Sequence, residues 1–325
     1  MSDQPITQTT SIPSSDPTDD LGKAGVLVVG SLTMDFTAVA ARMPQRGETV
    51  LGHQFAMVPG GKGNNQAIAV ARQDVSTVML GCVGDDELGP MVAAAVRDEG
   101  MVDALTIVPG PTGVAHIMVD GNGDNRIIMV PLANAALDAA MVAGHETLFK
   151  AAAVILTQLE VPLDAVCMAL KLGRTHGAIT ILNPAPAQPL DEVLLGFVDI
   201  LIPNETEAAL LTGCDTTTRD GCIAAAETLR ARGVGCVIVT RSVHGALVVD
   251  ASGTSDVAPF TVEAVDATAA GDAFCGALAA GLANGESFDA ALRRGAAAGA
   301  LACTVLGASG SIPTREATES LLAGR

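Results

Sequence analysis

Short, continuous apolar runs recur along this chain, and most of them are followed by a stretch of helical spacing. Residues 25–30 read Gly-Val-Leu-Val-Val-Gly, a run of the kind that forms a strand buried on both faces. Residues 75–84, 153–158, 178–182, 200–203, 236–240 and 246–249 are of the same type. Between them, apolar residues return every third or fourth position. That spacing predicts helices that run on through Ile68, Val70 and Ala71 and over 89–99, 163–174, 205–211, 223–232, 271–283 and 288–306. Gly100, Gly177 and Gly213 stand where three of these helices should stop. The alternation predicts an α/β fold, a mostly parallel central sheet with helices on both faces. Two regions break the pattern. Residues 33–39 with 49–57, and 113–120 with 126–130, alternate loosely about turn-rich segments and predict two hairpins outside the main sheet. Residues 1–20, rich in Ser, Thr, Pro and Asp, predict a disordered tail over 1–23 ahead of one domain over 24–325.

Polar residues gather just after the apolar strands. Asp35, Glu160, Asn183, Asn204 and Arg241 each follow one. Parallel strands point one way, so their ends would gather at a single edge of the sheet, where open α/β sheets bind ligands. Ala269-Ala270-Gly271 opens a helix whose first turn has free N–H groups and can hold an anion. Asp272, inside that turn, is either an acid favourably placed at a helix N-terminus or a base for a hydroxyl that attacks phosphorus. Three glycines surround Lys62, which suits either close backbone approach to a polar ligand or a Gly-rich loop with an Asn N-cap. It is not a Walker A loop, because Gly63 follows the lysine. Asn204 and Glu207 also have the spacing of a capping box.

Composition narrows the chemistry. The 325 residues are 49% hydrophobic and carry a formal charge of −18, which argues against nucleic acid and anionic membranes as partners. Any anionic substrate must then be captured by local groups and backbone dipoles. There is no Trp or Tyr to stack bases. The seven scattered cysteines read as free thiols of a reducing compartment, and with no leader or spanning run the expectation is a cytoplasmic protein. The five histidines are dispersed, without a metal or triad pattern.

Two segments carry a resemblance. Gly60-Gly61-Lys62-Gly63-Asn64-Asn65-Gln66-Ala67 and Asp266-Ala267-Thr268-Ala269-Ala270-Gly271-Asp272-Ala273-Phe274 resemble the signatures of the ribokinase-like (PfkB) family of carbohydrate and nucleoside kinases. Pro203-Asn204-Glu205-Thr206-Glu207 lies between them, and the likeness runs from about Ala24 to the C-terminus. Gln158-Leu159-Glu160 and Asn183-Pro184-Ala185-Pro186-Ala187 are similar to the ribose-phosphorylating subgroup.

The resemblance implies transfer of the γ-phosphoryl group of ATP to the 5-hydroxyl of D-ribose, with Mg²⁺ accompanying the nucleotide and K⁺ as activator. It casts Asp272 as base and Ala269, Ala270 and Gly271 as anion hole. Thr33, Asp35, Gly60, Gly61, Lys62, Asn65 and Glu160 would hold the sugar. Asn204, Thr240, Arg241, Ser242, Val243, His244, Gly245, Gly271 and Ala296 would hold ATP, and Glu207 the Mg²⁺ through water. Asp266, Thr268, Ala302, Val305, Gly307 and Ser311 would bind K⁺, several through main-chain carbonyls. The hairpins, about 33–58 and 112–131, would form a β lid that pairs two subunits into a homodimer. Three places depart from the family's pattern. Thr33 stands where Asn is usual, Ser242 and Val243 where Gly and a small polar residue are usual, and Ala296 where Asn or His is usual. The first leaves 2-deoxyribose or a nucleoside as alternative acceptors, the second bears on nucleotide geometry and preference, and the third on base selectivity. A sugar-binding regulator without activity is a further alternative, against which intact Gly271 and Asp272 weigh.

Overall fold

The computed structural model describes residues 25–121 and 123–325, so the expected tail over 1–23 lies outside the described residues. At the centre is β1 (Gly25–Val29), paired in parallel with β4 (Thr77–Gly84) on one side and β8 (Ala152–Thr157) on the other. β5 (Val102–Val108) continues the sheet beyond β4. Beyond β8 come β9 (Ile179–Leu182), β10 (Ile200–Leu201) and β11 (Cys236–Thr240), also parallel. β12 (Ala246–Asp250) and β13 (Gly253–Val257) finish that edge as antiparallel strands. The order is β13-β12-β11-β10-β9-β8-β1-β4-β5. From β1 the main sheet grows first towards β4 and β5 and afterwards, on the opposite side, from β8 onward. The strand order therefore reverses between β1 and β8, which opens a crevice beyond their carboxyl ends.

Alternate side chains of the central strands feed two cores. Val26, Val28, Val154 and Leu156 face one, while Leu27, Val29 and Ile155 face the other. The first core is covered by α1 (Lys62–Ala71), α2 (Leu88–Asp98), α9 (Ala270–Ala283) and α10 (Phe288–Ala302). The second is covered by α3 (Ala139–Gly144), α4 (Glu146–Ala151), α5 (Leu163–His176), α6 (Glu192–Leu195), α7 (Glu205–Thr212) and α8 (Arg219–Ala231). The chain closes with α11 (Arg315–Leu322). Helices on both faces of a mostly parallel sheet are what the strand–helix alternation predicts.

A second sheet, in the order β3-β2-β6-β7, is built from β2 (Thr33–Ala40), β3 (Gly52–Gly60), β6 (Gly113–Val119) and β7 (Asn125–Val130). The two hairpins are antiparallel, and β2 joins them by pairing in parallel with β6. Asn134 anchors this sheet at its root: its side-chain amide accepts from the Leu32 N–H at 2.9 Å and donates to the Leu32 carbonyl at 2.7 Å.

The hydrophobic pattern does not disclose β5, β13, α3, α4, α6 or α11. β13 is almost wholly exposed and polar, so nothing in its composition marks it. The helix expected to run to residue 306 stops at Ala302, because the Cys303 carbonyl turns to accept the N–H groups of Val265 and Asp266. Among the described residues no helix is long and apolar enough to cross a membrane.

Candidate active site at the switch point of the sheet

The carboxyl ends of β1 and β8 are tied together across the crevice. The Ser31 hydroxyl donates to Glu160 Oε2 at 2.6 Å, and the Lys62 N–H at the start of α1 donates to the same oxygen at 2.9 Å. The glycines around Lys62 explain how α1 reaches so far in. A Cβ at Gly63 would lie 2.5 Å from the Ser31 nitrogen, and one at Gly61 2.9 Å from the Ser31 carbonyl oxygen. Gly61 is also the N-cap of α1 and has φ 94°, a conformation that favours glycine. A Cβ at Gly60 would meet the Asp35 carboxylate at 2.1 Å. These glycines thus serve close packing against the β1–β2 corner. The Asn N-cap alternative is not what forms, since α1 begins at Lys62 with no side-chain cap and Asn64 and Asn65 lie buried within it.

Asp272 comes to this corner from the far end of the sequence. It is buried, its Oδ2 accepts from Asn65 Nδ2 at 3.2 Å, and its Oδ1 accepts from Gln66 Nε2 at 2.9 Å. Contact between α1 and α9 is possible because a Cβ at Gly276 would lie 2.4 Å from Ala69 Cβ and 2.6 Å from the Gln66 carbonyl oxygen. Ala269, the N-cap of α9, has φ 59° and no side-chain capping bond. Ala270 N–H reaches back to Ala267 and Ala273 N–H bonds Ala269, so Gly271 and Asp272 keep N–H groups with no acceptor among the described residues. Gly271 opens onto free space. An anion can approach there.

The charges are coupled. The negative charge of Asp272, then those of Glu160 and Glu207, hold the Lys62 ammonium above its ordinary value against the opposing effect of burial. Burial pushes Asp35 up to about 6, the Thr33 hydroxyl opposes it, and Glu160 and Asp272 add repulsion. Thr33 Oγ1 donates to Asp35 Oδ1 at 2.6 Å. Thr33, Asp35, Lys62, Asn65, Glu160 and Asp272 are therefore gathered at one corner, with Lys62 the cation among these six.

The second group of predicted residues lies along the ends of β10 and β11. Asn204 bridges Thr240 in parallel fashion. The capping box is present: the Glu207 N–H donates to Asn204 Oδ1, and Glu207 Oε2 accepts from the Asn204 N–H, each at 2.8 Å. Burial pushes the Glu207 carboxyl up, with Asn204 and Lys62 opposing. Only one of its oxygens is used by the cap, so it fits a second-sphere role towards a nucleotide-borne Mg²⁺. No group of three or more His, Cys, Asp or Glu side chains among the described residues could hold a metal by itself. Arg241 to Gly245 form a tight turn in which Arg241 N–H bonds the Gly245 carbonyl, His244 N–H bonds the Arg241 carbonyl, and Val243 is exposed. Ser242 sits at φ 49°, where the family's usual Gly would be unstrained. Arg241 Nε lies 3.5 Å from Glu205. Ala296 lies within α10, away from this turn in sequence and partly buried.

The third group meets at the end of α10. Asp266 Oδ1 accepts from the N–H and hydroxyl of Thr268, and its Oδ2 accepts from the Gly307 N–H at 2.9 Å. Burial acts to raise the Asp266 carboxyl, and these three donors outweigh it and hold it low. Ala302 accepts from the Val305 N–H at 3.5 Å, and Ser311 bonds the Ala308 carbonyl through both its N–H and its hydroxyl. Asp266 thereby joins Thr268 to Cys303 and Gly307, and its carboxylate would suit a monovalent cation, while the bonds of Ser311 run to Ala308. Ser31 and Asn134 carry no motif signal, and Gln66, though it falls inside the Gly60–Ala67 signature, is assigned no role by it. Each acts through a contact distant in the chain.

A buried carboxylate beside free helix N–H groups, at the switch point of a parallel sheet and under a small β-sheet, defines an α/β phosphotransferase acting on a small polar acceptor. Residues 23–315 match the model described as pfkB family carbohydrate kinase. The chain belongs to that family and is an ATP-dependent sugar kinase. It is 36% identical to the ribokinase of Haemophilus influenzae over 91% of this chain and 97% of that one. It is 34% identical to the deoxyribokinase of Salmonella typhimurium over 90% of this chain and 96% of that one. The structure of Arabidopsis thaliana ribokinase complexed with ribose and ATP matches with a TM-score of 0.86 at 32% identity, covering 92% of this chain and 98% of that one.

Proposed function

We propose that this protein transfers the γ-phosphoryl group of ATP to the 5-hydroxyl of D-ribose, giving D-ribose 5-phosphate and ADP. The observation that carries the reading is Asp272, buried beside the open N-terminus of α9 and held on both oxygens by α1. Likeness to ribokinases over nine-tenths of the chain supports ribose as the acceptor.

Asp35, Lys62, Asn65 and Glu160 hold the sugar hydroxyls, with Gly60 and Gly61 closing the wall. Asp272 takes the proton of the 5-hydroxyl as the oxygen attacks phosphorus. The anion hole of Ala269, Ala270 and Gly271, where the Gly271 and Asp272 N–H groups stay free, receives the negative oxygens of the migrating group, a fixed positive potential inside an acidic chain. Asn204 and the segment Thr240, Arg241, Ser242, Val243, His244 and Gly245 hold the nucleotide phosphates, and Ala296 borders the base. Glu207 would hold Mg²⁺ through water, and the ion, arriving with ATP, would neutralise charge on the phosphates. Asp266, Thr268, Ala302, Val305, Gly307 and Ser311 would hold K⁺, whose charge would steady the approach to the anion hole.

The small sheet acts as a lid that excludes water, a competing acceptor. One of its faces carries Thr33 and Asp35. The other carries exposed Phe55, Met57, Ile128 and Val130, with Met57, Phe36, His116 and Ile128 in one cross-strand row. That apolar face pairs with the same face of a second copy in a homodimer. Seven free cysteines support a reducing, cytoplasmic setting.

2-Deoxyribose is the second reading, because the Thr33 hydroxyl is already spent on Asp35 rather than offered to a 2-hydroxyl. ADP release measured with ribose, 2-deoxyribose and nucleosides tests the assignment. Ribose is expected to be the best acceptor, and turnover of nucleosides with none of ribose rejects it. Asp272→Asn should lower kcat by roughly 10²–10⁴-fold with ribose binding retained. An unchanged rate removes Asp272 as base.

A further inference from the structure

Gln66 touches no predicted ligand, yet three polar side chains converge on its fully buried amide. Its Nε2 donates to Asp272 Oδ1 at 2.9 Å and to Asn183 Oδ1 at 3.1 Å, while its Oε1 accepts from Gln158 Nε2 at 2.6 Å. Asn183 Nδ2 in turn donates to the Ile202 carbonyl at 2.9 Å. The direction of this chain is forced from both ends. A carboxylate only accepts, so Gln66 must present its NH₂ to Asp272. A backbone carbonyl also only accepts, so Asn183 must give its NH₂ to Ile202 and turn its oxygen to Gln66. Both ends demand the same orientation of the Gln66 amide, and Gln158 locks it from behind. Space for that lock is left by Gly30, where a Cβ would lie 2.0 Å from Gln158 Oε1.

We propose that Gln66 is the positioning residue for the catalytic base: the Gln158–Gln66–Asn183 amide chain aims the Asp272 carboxylate. This rests on the assignment of Asp272 as base. The chain spans the ends of β8, α1 and β9, so the base is referenced to the rigid sheet rather than to its own helix turn alone. Two donors, from Asn65 and Gln66, fix the carboxylate, one on each oxygen. The charged or titratable groups facing Asp272 are Lys62 on α1, Asp35 on β2, Glu207 on α7 and Cys275 on α9. A neutral substitution at Gln66 leaves all of them in place.

The test uses the full chain with Gln66→Met and Gln158→Met, neither of which changes charge. The readouts are kcat at saturating ribose and ATP, and ribose affinity by calorimetry, with Gln66→Glu and Gln66→Asn as further variants. Gln66→Met is expected to lower kcat on the order of 10²-fold and ribose affinity far less. Gln158→Met, farther from the base, should show the same split at smaller size and serves if the first variant does not fold. Gln66→Asn, which keeps the amide on a shorter arm, should recover part of the lost kcat, and Gln66→Glu, which cannot donate to a carboxylate, should not. A kcat unchanged in the folded variants, or kcat and affinity falling together, overturns the proposal. If Asp272→Asn is inactive while Gln66→Met turns over normally, the positioning role alone fails. If Asp272→Asn is fully active, the reading beneath it fails.

Discussion

Adding one methyl group at Gly276 should disable the site from outside it. The new carbon would lie 2.4 Å from Ala69 Cβ and 2.6 Å from the Gln66 carbonyl oxygen. Non-bonded carbons settle at about 3.5 Å or more, so α1 and α9 must part by about 1 Å in Gly276→Ala. The Asn65–Asp272 and Gln66–Asp272 contacts, now 3.2 and 2.9 Å, then both leave hydrogen-bond range. Overpacking of this kind destabilises by about 1–3 kcal/mol, which a domain of this size survives. A misplacement near 1 Å lowers kcat on the order of 10²-fold. The assay is steady-state ADP release with parallel thermal melts and ribose calorimetry. A folded variant with a lowered melting temperature, near-normal ribose affinity and a collapsed kcat is expected. A wild-type kcat in the same folded variant would show that helix–helix spacing does not set the geometry of the base.

Asp35 links binding to stability. Its carboxyl, raised from 3.8 to about 6 by burial, corresponds to about 3 kcal/mol of stability present below pH 4 and lost as pH rises through 6. Asp35→Asn should therefore raise the melting temperature at pH 8 and not at pH 4 while weakening ribose binding at least tenfold; an equal gain at both pH values refutes the burial argument. Replacing K⁺ by Na⁺ or Tris should slow turnover several-fold, and indifference to the exchange discards the site at Asp266. Ile128→Asp on the apolar face of the small sheet should turn a dimer into a monomer in light scattering with the monomer still folded, whereas an unchanged mass removes that face as the interface.

The strands and helices that build the site were legible because burial leaves a periodic mark. Residues 25–30 read as a strand buried on both faces, and Val26 to Val29 do alternate between the two cores. Asp35, Glu160, Asn183 and Asn204 could be nominated because parallel strands bring their ends to one edge. The glycines around Lys62 were visible, though their use was not: they admit the β1–β2 corner. β13 and α11 left no pattern, being exposed or amphipathic without a run of buried positions.

The sequence alone determined the α/β class, the sheet's ligand edge and the helix N-terminus that carries Asp272, since these follow from local periodicity and free N–H groups. Only the tertiary structure decided that Asp272 meets Asn65 and Gln66 from more than two hundred residues away, that Gly276 lets the two helices touch, and that Gln158, Gln66 and Asn183 join in one amide chain. Hydrogen bonds between distant residues depend on distance and direction to a tenth of a nanometre, and no local pattern of polar and apolar positions encodes either.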